Sequence, residues 1–285
     1  MTTGANVDGM TDKLHVDLTG APQTMLATLY GKALDAGLSE SILHDTYARD
    51  VVSRIDYDWS RTTMTAARSP GVTIRSAHFD RWAADFLAVH AKAVVLHLGC
   101  GLDSRYYRLS PGPEVDWYDV DYPAVADLRR QLYPPREHCH IVAASVTDPT
   151  WLADIPGDRP VLMLAEGLTM YLSEADGHAL LRRVVEHFCC GEIQFDAFSR
   201  LGVKLQWTNS VVRRSGAKLR WAMDKPEDVL TAVPGLRLVS CESAFDADGF
   251  DRLPASLRLM SALMRIAPGM RYMSQYHRYS FGQPC

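Results

Sequence analysis

No stretch of this sequence runs apolar for the ~18 residues that a membrane span needs. Its first twenty residues are polar and include acids, with no basic start leading into an apolar core. A membrane helix and a secretory signal are thereby disfavoured, and a cytoplasmic location is expected. Cysteine is sparse and irregularly placed. Cys100, Cys139, Cys189, Cys190, Cys241 and Cys285 lack the paired spacing of a structural zinc site, so no metal is expected. In a reducing compartment they should stay thiols, and adjacent Cys189 and Cys190, just before Gly191, read as small buried hydrophobes. A basic excess is missing too: 30 Lys and Arg stand against 34 Asp and Glu, for a net charge of -4. That balance offers no broad attraction for nucleic acid or an anionic membrane, and the local pair Arg213-Arg214 reads as a solvated helix face.

The remaining composition is that of a folded globular protein, 47% hydrophobic and 22% charged over 285 residues. This length accommodates one large α/β domain with a cap, or two small domains. The first dozen residues read as a mobile lead. Helical spacing follows over residues 24–34, 39–54 and 76–90, before any strong strand signal, and suggests a helical cap occupying residues 1–90. The core then starts abruptly with Ala-Val-Val-Leu-His-Leu at residues 93–98. Further strands are expected over residues 115–120, 140–143, 161–164 and 192–197, separated by helices over 122–132 and 180–188. Such alternation marks a parallel sheet covered by helices on its faces. Beyond it, residues 201–214 read as one long helix of an insertion spanning about 200–232. Residues 227–230 make a short helix behind Pro226, and 236–241 and 276–281 form an antiparallel edge. In the helix over 256–266, Leu257, Met260, Leu263 and Ile266 make an apolar stripe expected to be buried.

Gly99-Cys100-Gly101 closes the first core strand. Glycines there permit a tight turn and leave backbone amides open to a ligand, although Gly-x-Gly alone does not choose which ligand. Asp121 ends the second strand twenty residues after Gly101, where a carboxylate can accept hydrogen bonds from both ribose hydroxyls. The third glycine of a dinucleotide loop is missing, and Asp103 stands in that turn. A carboxylate beside a diphosphate is unfavourable, whereas one beside an ammonium is favourable. The loop therefore favours S-adenosylmethionine over NAD, and S-adenosylhomocysteine would be the product.

Three ordered blocks carry a resemblance that covers roughly residues 15–200: Leu-Gly-Cys-Gly-Leu-Asp-Ser-Arg at 98–105, Trp-Tyr-Asp-Val-Asp-Tyr-Pro at 117–123, and Ala-Glu-Gly-Leu-Thr-Met-Tyr-Leu at 165–172. With residues 23–33 and 75–80 they resemble the leucine carboxyl methyltransferase family, in particular its bacterial branch of polyketide O-methyltransferases. The resemblance implies a class I methyltransferase fold, with a Rossmann-like sheet, flanking helices, an N-terminal helical cap and a late helical lid. It also implies roles. Arg75 would grip the methionyl carboxylate of the cofactor, Gly99, Cys100 and Gly101 would pass beneath it, and Asp121 with Tyr122 would hold its ribose end. Glu166 would face the methionyl group and the neighbouring acceptor, and Tyr171 would wall the transfer site, making these two the candidate catalytic residues. Where the family commonly places an Asp-Leu pair against adenine, this chain has Ser145-Val146, a shorter uncharged acceptor and an apolar neighbour.

Competing readings accompany several of these residues. Asp103 is either a cofactor ligand or a helix cap. Arg105 either joins the cofactor site, through a salt bridge that orients Asp103, or covers a helix face. Arg75 could be a surface charge, Tyr171 core filling, and His97 a structural residue with a buried partner. Tyr30, Trp82, Trp207 and Trp221 each read as core packing before acceptor contact. The function expected is in-line transfer of a sulfonium methyl to a carboxylate or phenolic oxygen of a small organic acceptor, a polyketide-like one if the resemblance extends to substrate. No histidine stands out as a base, which favours a carboxylate or an acidic phenol. A non-catalytic cofactor-binding or scaffold protein is the alternative, with a nicotinamide oxidoreductase behind it.

Overall fold

A computed structural model describes residues 13–16, 21–208 and 210–283; the first dozen residues and Cys285 lie outside the described residues. Its elements run β1 (Leu14–His15), α1 (Ala21–Asp35), α2 (Thr46–Arg54), β2 (Ile55–Asp56), α3 (Pro70–Val89), β3 (Ala93–Leu98), α4 (Arg105–Leu109), β4 (Val115–Asp121), α5 (Pro123–Leu132), β5 (Cys139–Ala143), β6 (Val161–Ala165), α6 (Glu174–His187), β7 (Cys190–Phe198), α7 (Arg200–Lys204), α8 (Ser210–Ser215), α9 (Pro226–Ala232), β8 (Arg237–Ser243), α10 (Ala255–Ile266) and β9 (Ser274–Gly282). Seven strands form one sheet in the order β5-β4-β3-β6-β7-β9-β8. The first five are parallel, while β9 runs antiparallel to both β7 and β8. β1 and β2 make a separate short parallel pair.

Periodicity explains the layers. Every residue of β3 is buried, as a strand covered on both faces requires. Val94, Leu96 and Leu98 meet Met163 and α6 residues Leu180, Leu181 and Val184 on one face. Ala93 and Val95 meet Ala83 and Phe86 of α3 on the other. His97 shares that second face, which places a polar ring at the level where α3 and α4 bring their charges. Because the chain leaves β3 toward β4 but reaches β6 on the opposite side, the loops after β3 and β6 diverge. A crevice opens at their carboxyl ends, the place where open α/β sheets bind ligands.

The chain departs from its sequence expectations at four places. Helix over 39–54 forms only from Thr46, because the Asp35 carboxylate draws in Ser41 Oγ (2.6 Å) and the amides of Ile42 and Leu43, holding 36–45 as a turn. Asp45 then caps α2 through the Ala48 amide. The long helix over 201–214 is broken into α7, a 3-10 turn at Gln206–Thr208 and α8. Gln206 clamps the returning chain there, its Oε1 accepting from Leu219 N at 2.9 Å. On α10 the expected stripe faces outward: Met260, Leu263 and Ile266 are exposed, Leu257 is half-buried, and the buried position is Ser261. Leu257 and Met260 look into the crevice, whereas Leu263 and Ile266 are exposed away from it. Finally, Cys189 is exposed while Cys190 is buried, so only one of the pair behaves as a small buried hydrophobe. Among the described residues no helix is long and apolar enough to cross a membrane, and no group of side chains could hold a metal.

Candidate active site

A cavity of about 640 Å³ opens over the carboxyl ends of β3, β4 and β6 and continues past β7. Gly99 and Gly101 form its floor with φ of 60° and 52°, a region in which L side chains are strained. Space is as limiting as torsion: a Cβ would stand 3.0 Å from Leu168 Cδ1 at position 99 and 3.2 Å from Met25 Cβ at position 101. The glycines thus let the loop after β6 and helix α1 close around the crevice. Asp121 accepts from Gly101 N and Tyr122 N, each at 2.7 Å, through different oxygens. Two bonds leave further lone pairs on the carboxylate for hydroxyl donors in the cavity. Burial raises its pKa, against the pull of those two amides.

The opposite wall is built from ion pairs. α3 contributes Arg75, whose Nε donates to Glu166 Oε1 at 2.9 Å and whose second nitrogen pairs with Asp196 at 3.0 Å. Ser76 Oγ donates to the same Glu166 oxygen at 2.8 Å. The other Glu166 oxygen is paired with Arg105, which is itself wholly buried and bonded to Asp80 at 2.6 Å. Burial alone would raise the Glu166 pKa, but Arg75, Lys32 and Arg105 outweigh it and hold the group well below the carboxylate range. Asp103 takes Lys32 at 2.9 Å and Arg108 at 2.7 Å, and Arg108 also reaches Asp45 and Asp80. Burial opposes ionisation of Asp103 as well, and the three nearby cations again prevail. This connected set contains four cations, Lys32, Arg75, Arg105 and Arg108, and five carboxylates, Asp45, Asp80, Asp103, Glu166 and Asp196. It ties α1, α2 and α3 to the sheet, and of its members Lys32, Arg75, Asp103 and Glu166 line the cavity.

Arg75, Gly99, Cys100, Gly101, Asp103, Asp121, Tyr122, Glu166 and Tyr171 all line the cavity. The Tyr171 side chain is hydrogen-bonded to Thr24 of α1, and burial raises its pKa. Of the two readings of Asp103, helix capping is not what occurs: the cap of α4 is Ser104, with no side-chain bond. Arg105, Ser145 and Val146 stand off the cavity wall. Arg105 is an interior link of the ion network, Val146 is buried in the core, and Ser145 Oγ is bonded to Thr147 at 2.8 Å. His97 also lines the cavity, and its ring is held between Asp119 (2.9 Å) and Arg105 (3.2 Å), as the structural reading requires. Trp82 and Trp221 are core residues and Tyr30 stacks on Trp59, whereas Trp207 is 64% exposed and neither packs in the core nor lines the cavity.

Sequence reasoning passed over Lys32, Asp45, Asp80, Arg108 and Asp196. Asp196 gave no signal of its own, because Ile-Gln-Phe-Asp-Ala at 193–197 alternates and reads as a strand with Gln194 and Asp196 on its polar face. Lys32 gave none either, because a lysine near the end of a helix ordinarily meets solvent. Past Asp196 the cavity turns apolar and aromatic, with Phe198, Met170, Val212, Leu219, Phe250 and Tyr276 on its walls. Val212 and Leu219 come from the segment after β7, which is anchored back by Arg220 N donating to Met170 O at 2.7 Å.

These residues fit S-adenosylmethionine. Asp121 offers acceptors to a ribose, Arg75 offers a guanidinium to a carboxylate, and the lining carboxylates Asp103 and Glu166 suit a ligand with a sulfonium and an ammonium. Comparison with known proteins points the same way. The model of the leucine carboxyl methyltransferase family matches residues 25–185. A tetracenomycin polyketide synthesis O-methyltransferase of Streptomyces glaucescens is 41% identical over 93% of this chain and 98% of its own. An S-adenosyl-L-methionine-dependent methyltransferase of Gibberella zeae is 38% identical over 90% of this chain and 92% of its own. Among solved structures, a methyltransferase candidate of Thermobifida fusca shares the fold with a TM-score of 0.60 at 16% identity, covering 96% of this chain and 97% of its own. With its sheet order, its cofactor crevice and a family match over more than half its length, the chain belongs to the leucine carboxyl methyltransferase family of S-adenosylmethionine-dependent enzymes.

Proposed function

We propose that this enzyme methylates a carboxylate or acidic phenolic oxygen of a small aromatic, polyketide-like metabolite. The observation that carries the reading is the state of the cavity's own carboxylates. Asp103 and Glu166 are held by cations that depress their pKa, while Asp121 accepts from two backbone amides at the ribose end. The two cation-held carboxylates are poorly placed to take a proton, so the acceptor should arrive with its oxygen already ionised. A carboxylate meets that condition at neutral pH and a phenol near its reference pKa of about 10 does not, unless it is unusually acidic.

In that reaction a lone pair of the acceptor oxygen forms the new O–C bond while the C–S bond breaks and its pair stays on sulfur. A carboxylate becomes a neutral ester and no proton is left to place. The chain's part is to hold the donor through Arg75 and Asp121, to hold the acceptor in line against Tyr171, Phe198 and the apolar wall, and to exclude water. The aromatic lining and the similarity to an enzyme of polyketide synthesis support a flat polycyclic acceptor. A net charge of -4 and an apolar chamber support a small molecule over a nucleic acid. The sparse, irregularly spaced cysteines suit a reducing cytoplasm as the place of action. Incubation with methyl-labelled S-adenosylmethionine and a panel of aromatic carboxylic acids and phenols tests this. Label should enter methyl esters or methyl ethers of acidic phenols, and transfer only to amines or to no acceptor would overturn it.

A further inference from the structure

Tyr276 sits on β9 directly across from Asp196 of β7, on the sheet face turned toward α3. Its ring packs against His78 (centroids 4.7 Å apart) and Phe79 (5.3 Å), and only 4% of the residue is exposed. The other buried tyrosines satisfy their hydroxyls: Tyr133 donates to Leu102 O at 2.7 Å and Tyr279 to Pro226 O at 3.3 Å. Tyr276 has no hydrogen-bond partner among the described residues, yet it lines the cavity beside Arg75. A buried phenol normally finds a partner. One held rigidly by its ring, with its donor left over at a cavity wall, is placed to supply that bond to a ligand.

Position in the sheet selects which ligand. Asp121, at the ribose end, is on β4, and β9 is four strands away along β4-β3-β6-β7-β9. At ~4.8 Å per strand that is roughly 19 Å, on the acceptor side of the crevice. Resting on the methyl-transfer reading, we infer that Tyr276 donates a hydrogen bond to an anionic oxygen of the acceptor and so selects acceptors that carry one. Tyr276 is thus a specificity-determining residue on the strand that follows the whole catalytic fold. Burial pushes its phenol above the ordinary range, so it serves as a donor and not as a base.

The test compares the wild type with Tyr276→Phe, which keeps the packed ring and removes only the hydroxyl. Binding of 2-naphthoate and of naphthalene is measured by calorimetry with S-adenosylhomocysteine present, so that no turnover is needed. Loss of a hydrogen bond to a charged group should weaken naphthoate about ten- to a hundredfold, while naphthalene and S-adenosylmethionine binding stay within about twofold. Unchanged naphthalene binding also shows that the variant is folded. Equal naphthoate binding by both proteins, naphthoate binding by neither, or a parallel loss of cofactor affinity would overturn the assignment. If the wild type binds naphthoate through Tyr276 but forms no methyl naphthoate, the assignment stands and the proposed carboxylate chemistry falls.

Discussion

Replacing Glu166 by Gln separates two things a carboxylate at the end of β6 could do. Either it acts on the transferred group, or it holds the residues that do. Its carboxylate accepts from Arg75 at 2.9 Å and Ser76 at 2.8 Å and pairs with Arg105, with the side chain 5% exposed. Gln keeps the shape but has one acceptor oxygen, so its NH2 must face one of the two guanidinium groups. Breaking a buried pair from one side costs about 3–5 kcal/mol, and the retained oxygen places Glu166→Gln near the lower end, about 3 kcal/mol. For a chain of this size that is roughly a 6–10 °C fall in melting temperature. Arg75, no longer held on both sides, should also bind the cofactor more weakly in a calorimetric titration. The pH dependence supplies an independent check. Since the folded pKa of Glu166 is depressed, its stabilisation is complete above about pH 4.3, the unfolded value, and is lost as pH falls through the window below it. Chemical denaturation of the variant should therefore show a shallower acid limb than the wild type. A variant with unchanged melting temperature and cofactor affinity, but with a large loss in transfer rate, would refute the holding role.

Three further perturbations follow from the same geometry. Asp121→Ala should weaken S-adenosylmethionine binding about ten- to a hundredfold by calorimetry, because each charge-assisted bond contributes about 1.5–3 kcal/mol; unchanged affinity would reject the ribose assignment. Gly101→Ala forces an L residue to a φ of 52° and sets its Cβ 3.2 Å from Met25, so stability in urea should fall by at least the ~1–2 kcal/mol of the torsion alone. Burial lowers His277 from 6.5 to about 4, so the folded state resists a proton that the unfolded chain accepts. Its contribution is then fully present above pH 6.5 and declines by up to about 3 kcal/mol as pH falls toward 4. His277→Gln should flatten that slope in denaturation midpoints taken between pH 7 and 5.

Much of the fold was legible because its signals are local. The run at 93–98 is continuous apolar chain between polar flanks, and Gly99-Cys100-Gly101 ends it by torsional necessity, so the strand, its turn and its burial on both faces could be read together. The elements that misled were those whose ends are set by distant or side-chain contacts. Nothing in residues 39–45 forbids a helix until Asp35 is seen folding back to cap Ser41, Ile42 and Leu43. The break after Lys204 likewise depends on Gln206 meeting Leu219, thirteen residues on. On α10 the period was right and the direction wrong, because a moment says that a helix has two faces and not which of them meets the protein.

The site was legible in proportion to how much of it lies at strand ends. Glu166 follows the apolar strand β6, where a carboxylate has no packing reason to be, and Asp121 ends β4 at the fixed spacing from Gly101 that a ribose ligand needs. The charges that set their behaviour come from elsewhere: Lys32 from α1, Arg75 and Asp80 from α3, Arg108 from α4. Each is an ordinary helical charge in sequence and becomes part of the site only when the N-terminal helices dock on the sheet. Their docking is therefore coupled to the site's electrostatics. Asp103 and Glu166 of that network, with Asp121, line the cavity and present carboxylates to the positive groups of the methyl donor. Methyl transfer removes the sulfonium charge from that ligand, so these carboxylates hold the product less strongly than the donor. The donor end relies on charge for exchange, whereas the acceptor end, lined by Phe198, Phe250 and Tyr276, relies on shape and one hydroxyl for selection.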